Sequence, residues 1–150
     1  MIIIRTFTFI IFFSLIVIAY SCTKSQAGKT PELLLTGNAW KVKEVRGVLG
    51  NAIVVYVRGG TSNTLNLDNE HILFKLDSTG VYTDNAGNQS TFTWSFTNSQ
   101  KTTLTWIVQF SQLTTINWEI LTLSKDSIKY NEYYTSGSQN EYSTEVRTPL

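Results

Sequence analysis

Two stretches in the middle of the chain alternate apolar and polar residues with a period of two. In "FTWSF" the aromatic side chains of Phe92, Trp94 and Phe96 share one face. In "LTWIVQF" the apolar face consists of Leu104, Trp106, Val108 and Phe110. Successive side chains of a β-strand point to opposite faces, whereas a helix repeats its apolar face roughly every three to four residues. The pattern therefore predicts half-buried strands and favours a sheet with one face in the core.

Further alternating runs follow, with turn residues between them. The runs are Ile72, Phe74 and Leu76; Trp118, Ile120 and Thr122; Ile128, Tyr130 and Glu132; and Tyr142, Thr144 and Val146. The turn signals are DSTG (77–80), DNAGN (84–88), TNSQK (97–101), SKDS (124–127) and SGSQN (136–140). In the first turn we expect Gly80 at the left-handed position. Short strands with a turn roughly every eight to twelve residues predict an antiparallel meander, closed as a barrel or folded as a sandwich.

Two segments depart from this pattern. "PELLL" (31–35) predicts one helical turn, with Thr30 as N-cap and Pro31 at the first helical position. Residues 58–69, "RGGTSNTLNLDN", form the longest irregular stretch. A long loop inside a small domain is either functional or mobile.

Charge excludes one class of partner. The 150-residue chain has 12 basic and 11 acidic residues, and only 15% of its residues are charged. Removal of the first 21 residues would remove Arg5 and no acid, which leaves a neutral chain. A neutral domain without a basic stripe has no electrostatic reason to bind nucleic acid.

The first 21 residues have the layout of a secretory signal peptide. A short region with Arg5 precedes the apolar run "TFTFIIFFSLIVIAY", and small residues stand at Ala19 and Ser21. An uncleaved membrane anchor is the alternative, because residues 2–20 approach the roughly 20 residues that span a bilayer. Ordinary signal cleavage before Cys22 also fits this pattern.

The single cysteine of the chain follows this segment directly. "AYSC" resembles the lipobox of bacterial lipoproteins, which implies that Cys22 becomes the first residue of the mature chain and carries lipid. Two acyl chains would anchor the domain stably in a membrane. Residues 22–32 then read as the lipidated cysteine and a flexible tether. Residues 23–30, "TKSQAGKT", lack the acidic residues that surface-exported Bacteroidota lipoproteins tend to carry just after the cysteine, so we expect an outer-membrane lipoprotein that faces the periplasm.

Residues 33–150 resemble a lipocalin-like domain of the kind found in small Bacteroidota lipoproteins. The resemblance is carried by "TGNAWKVKEVR", "HILFKLDSTGVYTD", "STFTWSF" and "WEILTLSKDSIKY", in this order. Gly37 and Trp40 are one residue further apart than in the Gly-x-Trp of true lipocalins. The resemblance implies an all-β fold, an antiparallel meander that closes into a small barrel. An immunoglobulin-like β-sandwich is the alternative fold.

The same resemblance implies roles for two residues at the closed end of the barrel. Trp40 would plug this end, with its indole N–H bound to a carbonyl. In the family, a basic residue of the last strand often stacks on this tryptophan. Arg147 is the candidate for that residue, because it is the only Arg or Lys of the last predicted strand.

Catalytic and metal chemistry find little support in the sequence. His71 is the only histidine, and we expect an ordinary residue at the start of a strand. Asp68 and Glu70 would share one side of an extended segment. They could form a cation site or an acid/base pair, but we favour a solvated loop. No nucleophile elbow, zinc motif, phosphate loop or dinucleotide fingerprint is present. We therefore expect no catalytic residue, no metal, no cofactor and no enzyme activity.

The aromatic residues suggest a binding role instead. We expect the aromatic residues mainly to fill the barrel, with Trp94, Trp106 and one of the adjacent Tyr133 and Tyr134 as candidates for contact with a ligand. The expected function is a membrane-anchored binding module for a small hydrophobic ligand or an envelope component. A protein-interaction module, either an inhibitor or an accessory subunit of an envelope complex, is the alternative. Separately, the tripeptides at Ser78 and Ser127 resemble Bacteroidota O-glycosylation sites.

Overall fold

The fold is described from a computed structural model that covers residues 28–49, 51–136 and 139–150. The predicted helix is present as α1, Pro31–Leu35, with Thr30 Oγ1 accepting a hydrogen bond from the Leu33 N–H at 3.3 Å. Over the described ranges, no helix has the length and apolar character needed to cross a membrane. Cys22 and the residues before it lie outside the described residues.

Nine strands follow the helix in one antiparallel sheet. They are β1 (Ala39–Leu49), β2 (Asn51–Val57), β3 (His71–Phe74), β4 (Thr79–Thr83), β5 (Gln89–Phe96), β6 (Thr103–Gln109), β7 (Leu113–Leu123), β8 (Ile128–Ser136) and β9 (Gln139–Pro149). From β3 to β9 each strand pairs with the next in sequence, as a meander. The connections at 75–78, 84–88, 97–102 and 124–127 contain the turn residues predicted above, and such short connections make neighbours in sequence neighbours in the sheet. The turn between β6 and β7 was not predicted, and residues 137–138 of the predicted turn at 136–140 lie outside the described residues.

The sheet closes on itself through its first and last strands. β1 pairs with β9 from the Trp40–Pro149 pair to the Val48–Tyr142 pair, and with β3 through residues 39–41. Eight strands, β1 and β3–β9, therefore form a closed barrel, with β2 as one extra strand outside it. This confirms the predicted all-β meander barrel and is compatible with a lipocalin-like fold. The immunoglobulin-like sandwich is wrong, because a sandwich has no such closing seam.

Helix α1 covers one end of this barrel. Trp40 is fully buried, and its Nε1–H donates to the Leu35 carbonyl at 2.7 Å. An ion pair between Lys101 Nζ and Glu32 Oε1, at 3.1 Å, fastens the helix to the loop before β6. The expectation that the Trp40 indole binds a carbonyl is confirmed, and the carbonyl belongs to the last residue of the helix.

The barrel core is mostly aromatic. Phe74 makes edge-to-face contacts with Phe92, Trp94 and Trp118, with ring centroids 5.3–5.6 Å apart. Trp118 and Tyr130 are stacked, with centroids 3.8 Å apart. Large rings that alternate with small polar residues on each strand fill the interior of an eight-stranded barrel efficiently. The predicted inner faces of β5 and β6 are confirmed, except for Phe110, which follows the end of β6 at Gln109 and is 42% exposed.

β1 pairs first with β3 and then with β2, and Arg58 lies where β1 and β3 separate. Its first residues pair with β3, but residues 44–49 pair with β2, so β1 and β3 separate. In this gap the Arg58 guanidinium donates to three backbone carbonyls, those of Val42 (2.7 Å), Asp68 (2.7 Å) and Leu67 (3.3 Å). The long loop 58–70 thus begins with a residue that binds both sides of the gap. β2 and this arrangement were not predicted.

The turn at 77–80 is present, but its left-handed residue is Ser78, with φ 64°, so the expectation for Gly80 is wrong. Gly80 is required for space. A Cβ there would lie 2.1 Å from Phe92 Cζ and 2.5 Å from the Leu73 carbonyl oxygen. The adjacent side chain of Asp77 makes the turn instead, because its Oδ1 accepts from both the N–H and the hydroxyl of Thr79.

Candidate binding site

Polar side chains enter the barrel on the two strands that precede its closure. Directly opposed residues of an antiparallel pair share a face. Tyr130 of β8 lies opposite Glu145 of β9, and Ile128 lies opposite Arg147. Glu132 lies opposite the buried Trp118 on its other side. The inner face of β9 therefore includes Glu145 and Arg147, not the predicted run Tyr142, Thr144 and Val146.

The centre of this group is the guanidinium of Arg147, of which only 4% is exposed. Its Nε donates to the Tyr130 hydroxyl at 2.7 Å, and its Nη2 lies 2.6 Å from Glu70 Oε1 and 3.4 Å from Glu145 Oε2. Tyr130 in turn donates to Glu145. A buried charge is tolerated when it is paired and hydrogen-bonded in this way. We call Glu70, Tyr130, Glu132, Glu145 and Arg147 the interior cluster.

Glu132 is the carboxyl group of the interior cluster whose pKa is raised by its surroundings. Its Oε2 accepts the Trp118 Nε1–H at 2.7 Å. Burial, and then the negative charge of Glu145, raise the pKa of Glu132 to about 7. Its carboxyl group is therefore close to half-protonated near neutral pH.

The interior cluster remains in contact with solvent on the side away from α1. The side chains of Glu70 and Glu145 keep 12% and 13% of their exposure. Glu132 is also not fully buried. Tyr82 closes one side of the cluster, where burial and then the Glu70 carboxylate raise its pKa. The three carboxyl groups of the interior cluster thus form a polar floor inside the barrel, and a small part of this floor reaches solvent.

Two buried donors, on side chains that both contact Trp118, have no hydrogen-bond partner among the described residues. They are Arg147 Nη1 and Trp106 Nε1; the hydroxyl of Thr83, at the end of β4, is also unpaired. The Arg147 Cζ lies 5.7 Å from the centroid of the Trp118 ring, and the Trp106 and Trp118 ring centroids lie 6.0 Å apart. Native proteins satisfy nearly all buried donors, so such a pair indicates a place for water or a ligand oxygen.

The charges of the interior cluster do not balance. Three carboxyl groups face a single guanidinium, so the cluster is negative even with Glu132 protonated. Across residues 28–49, 51–136 and 139–150, no three His, Cys, Asp or Glu side chains are arranged to hold a metal ion. The excess of negative charge disfavours an anion at this position.

Trp40 and Arg147 are the predicted barrel-closing pair. Trp40 lies under α1, as described above. The ring beneath the Arg147 guanidinium is that of Trp118, at 5.7 Å from Cζ, and Tyr130 stacks on the same indole. Arg147 therefore anchors the interior cluster and lies over Trp118; its stacking on Trp40 stays a prediction.

The four aromatic residues predicted to contact ligand fall in different places. Trp106 is interior, only 3% exposed, and borders the interior cluster. Trp94 is buried, donates to the carbonyls of Lys75 and Thr79, and has an edge in a shallow groove on the outer wall. Tyr133 is 47% exposed on the outer wall, where its hydroxyl donates to Glu119. The side chain of Tyr134 lies outside the described residues.

The remaining predicted residues lie away from the interior cluster, with one exception. Ser78 is exposed at its turn, whereas Ser127 is half-buried and hydrogen-bonded to Ser124. His71 begins β3, and its Nδ1 lies 2.8 Å from the Asn69 carbonyl. Asp68 accepts from the Tyr56 hydroxyl at 2.7 Å. Glu70 is the exception: the expectation of a solvated loop is wrong, because this carboxylate pairs with the buried Arg147.

Sequence reasoning missed Glu132 and Glu145 as site residues, although a signal for one of them was present. The alternation Ile128, Tyr130, Glu132 places a carboxylate on a core face. A charged residue on such a face is rarely buried unless it is paired or functional.

Comparison with models of known protein families gave no match, and no similar protein was found among curated proteins.

Proposed function

We propose that this protein is an envelope lipoprotein whose barrel is a binding module for a small ligand. The observation that carries the proposal is the interior cluster with its two unpartnered donors, Arg147 Nη1 and Trp106 Nε1. An unpaired buried donor costs about 1–3 kcal/mol, so we expect each of these two to be paired by water or by a bound ligand. A bound molecule with an oxygen acceptor would recover this free energy.

The interior supports an amphipathic ligand more than a purely hydrophobic one. Aromatic rings line the walls, but the floor carries three carboxyl groups and a guanidinium. Apolar contacts with Tyr82 and Trp106 would supply affinity, and the polar floor would fix orientation. Specificity would come from the floor, because a ligand that leaves buried polar groups unpaired is rejected strongly.

Native mass spectrometry of the full chain, extracted from its own membranes in mild detergent, tests this proposal. We expect a non-covalent small-molecule adduct on the wild-type protein that is lost from the Trp106→Phe variant. That variant keeps an aromatic ring but removes the unpartnered donor. An empty wild-type barrel in every preparation would contradict the proposal.

A second candidate function, a protein-interaction module, is favoured by strand β2. This strand pairs only with β1, and Ile53, Val54 and Val57 are exposed on it. An exposed apolar edge strand is a template for a partner's strand. Photo-crosslinking from position 53 in intact cells should give a discrete protein adduct if this function holds, and none if the barrel acts alone.

The proposal includes a lipid on Cys22 and a periplasm-facing position at the outer membrane. It rests on the signal-like segment and on "AYSC". A Cys22→Ser variant should lose the lipid mass and move from the membrane fraction to the soluble fraction, with the barrel still folded. An unchanged membrane association would contradict lipid anchoring.

The proposal assigns no catalysis to the barrel. His71 supports this, because its described hydrogen bond is to the backbone carbonyl of Asn69 and not to a serine or a carboxylate. A general base needs a proton donor within hydrogen-bond reach. Replacement of His71 by Gln should therefore leave ligand binding unchanged, as measured by the adduct in native mass spectra.

A further inference from the structure

We propose that the ligand of the barrel is a small protonated amine that also carries hydroxyl or carbonyl oxygens, held with its ammonium group on Glu132 and Glu145. This inference rests on the proposed binding function and names its ligand class. It follows from two independent features of the floor, its excess of carboxylates and its unpartnered donors.

The excess of carboxylates sets the sign of the ligand's charge. Arg147 directs Nη2 to Glu70 and Glu145, and no second cation of the described residues contacts the three carboxyl groups. Glu132 receives only a neutral indole N–H, from Trp118. An ammonium group would supply the missing charge and several hydrogen-bond donors at once. A carboxylate ligand would instead add a fourth negative group to a poorly solvated site.

The unpartnered donors set the second requirement. Arg147 Nη1 and Trp106 Nε1 each need an acceptor, and an ammonium group has none. A hydroxyl or carbonyl oxygen on the same molecule would accept from them while the amine contacts the carboxylates. Amino alcohols and amino sugars meet both requirements, whereas a simple alkylamine or a fatty acid meets only one or neither.

Binding of a positively charged ligand should also change the protonation of Glu132. The titratable and charged groups around Glu132 are Glu145 and Arg147 of β9, Tyr130 of β8, and Glu70 before β3. A bound ammonium favours the ionised form of Glu132. Binding should therefore release protons near neutral pH, which calorimetry in buffers of different ionisation enthalpy measures directly.

Two sets of probes of matched shape test the ligand class on the folded full-length chain. The first is glucosamine, glucose and glucuronate; the second is ethanolamine, ethylene glycol and glycolate. Within each set, an ammonium group replaces one hydroxyl of the neutral molecule in the cation, and a carboxylate replaces one CH2OH group in the anion. At about pH 7 we expect each amine to bind at least roughly tenfold more tightly than its neutral analogue, with no binding of the anion. Equal or tighter binding of a neutral or anionic probe, or binding of no probe, overturns the inference.

Variants locate the amine. Glu132→Gln keeps an oxygen that can accept from the Trp118 indole, and it should remove the preference for the amine and the proton release. Glu119→Gln is the matched control, because Glu119 lies on the outer wall with Tyr133 and Asn131. It should change neither quantity. An unaltered amine preference in Glu132→Gln overturns the placement, and the wild-type probe comparison stands even if that variant fails to fold.

The indole signal of Trp106 separates failure of this inference from failure of the proposed function. If neutral or anionic probes move that signal and the amines do not, the barrel binds ligands of another class. If no probe moves it, but the adduct in native mass spectra persists, this ligand class is wrong. If that adduct is also absent, the binding function itself is contradicted.

Discussion

Glu132 should make the protein less stable as the pH rises, which is the opposite of the usual effect of a carboxyl group. Its pKa is raised to about 7 in the folded state by burial and by Glu145. The folded state therefore holds a proton on Glu132 at pH values where the unfolded chain has lost it. Stability from this group is full below the ordinary pKa near 4.5 and falls as the pH rises through about 7.

The magnitude follows from the size of the shift. One pKa unit corresponds to about 1.4 kcal/mol, so the shift from 4.5 to about 7 corresponds to a loss of about 3 kcal/mol by mildly alkaline pH. Glu132→Gln cannot ionise and keeps an acceptor for the Trp118 indole. We therefore expect the variant to gain stability relative to wild type as the pH rises from about 5 to about 8.

Urea unfolding of both proteins, followed by tryptophan fluorescence across this pH range, measures the difference. Subtracting the two free energies of unfolding removes the contribution of every titrating group that both proteins share. Carboxyl groups with a lowered pKa, such as Asp77 and Asp84, also titrate below this range. A constant difference in free energy of unfolding between the two proteins would refute the reasoning about Glu132.

Three further substitutions test the packing of the barrel by urea unfolding. Gly80→Ala should destabilise by about 1–3 kcal/mol or more, because its Cβ would meet the Phe92 ring at 2.1 Å; Gly28→Ala, in open space, is the neutral control. Trp40→Phe should cost about 1–3 kcal/mol, because the Leu35 carbonyl loses its indole partner. Arg147→Met should cost about 3–5 kcal/mol by leaving buried carboxylates unpaired, with partial recovery on adding Glu145→Gln. The contact at Gly80 would be contradicted if Gly80→Ala and Gly28→Ala were equally stable. The contacts of Trp40 and Arg147 would be contradicted if Trp40→Phe or Arg147→Met had the same free energy of unfolding as wild type.

The meander could be predicted because its signals are local. Alternation around Trp94 and Trp106 and the turn residues between strands depend on neighbours in sequence, and the structure confirms them. The run at 72–76 was predicted one alternation too long, since β3 ends at Phe74 and Leu76 is 66% exposed. There the turn residues that follow overrode the hydrophobic pattern.

The interior cluster could not be predicted in the same way. Glu70 and Arg147 are 77 residues apart and meet only because β1 joins β3 and β9. On β9 the polar residues face inward, so hydrophobicity assigns the wrong face to that strand. Buried polar residues on this strand reverse the rule that alternation relies on, namely that the apolar face is the inner one.

The indole N–H signals of the four tryptophans test the central claim most directly. Trp40, Trp94 and Trp118 donate to protein acceptors, whereas Trp106 Nε1 has none among the described residues. In ¹H–¹⁵N spectra of the folded chain, assigned with Trp106→Phe, we expect ligand addition to shift the Trp106 signal and leave the Trp40 and Trp94 signals in place. A Trp106 signal that stays fixed under every probe, in a protein that also carries no small-molecule adduct in native mass spectra, would contradict a ligand site inside the barrel.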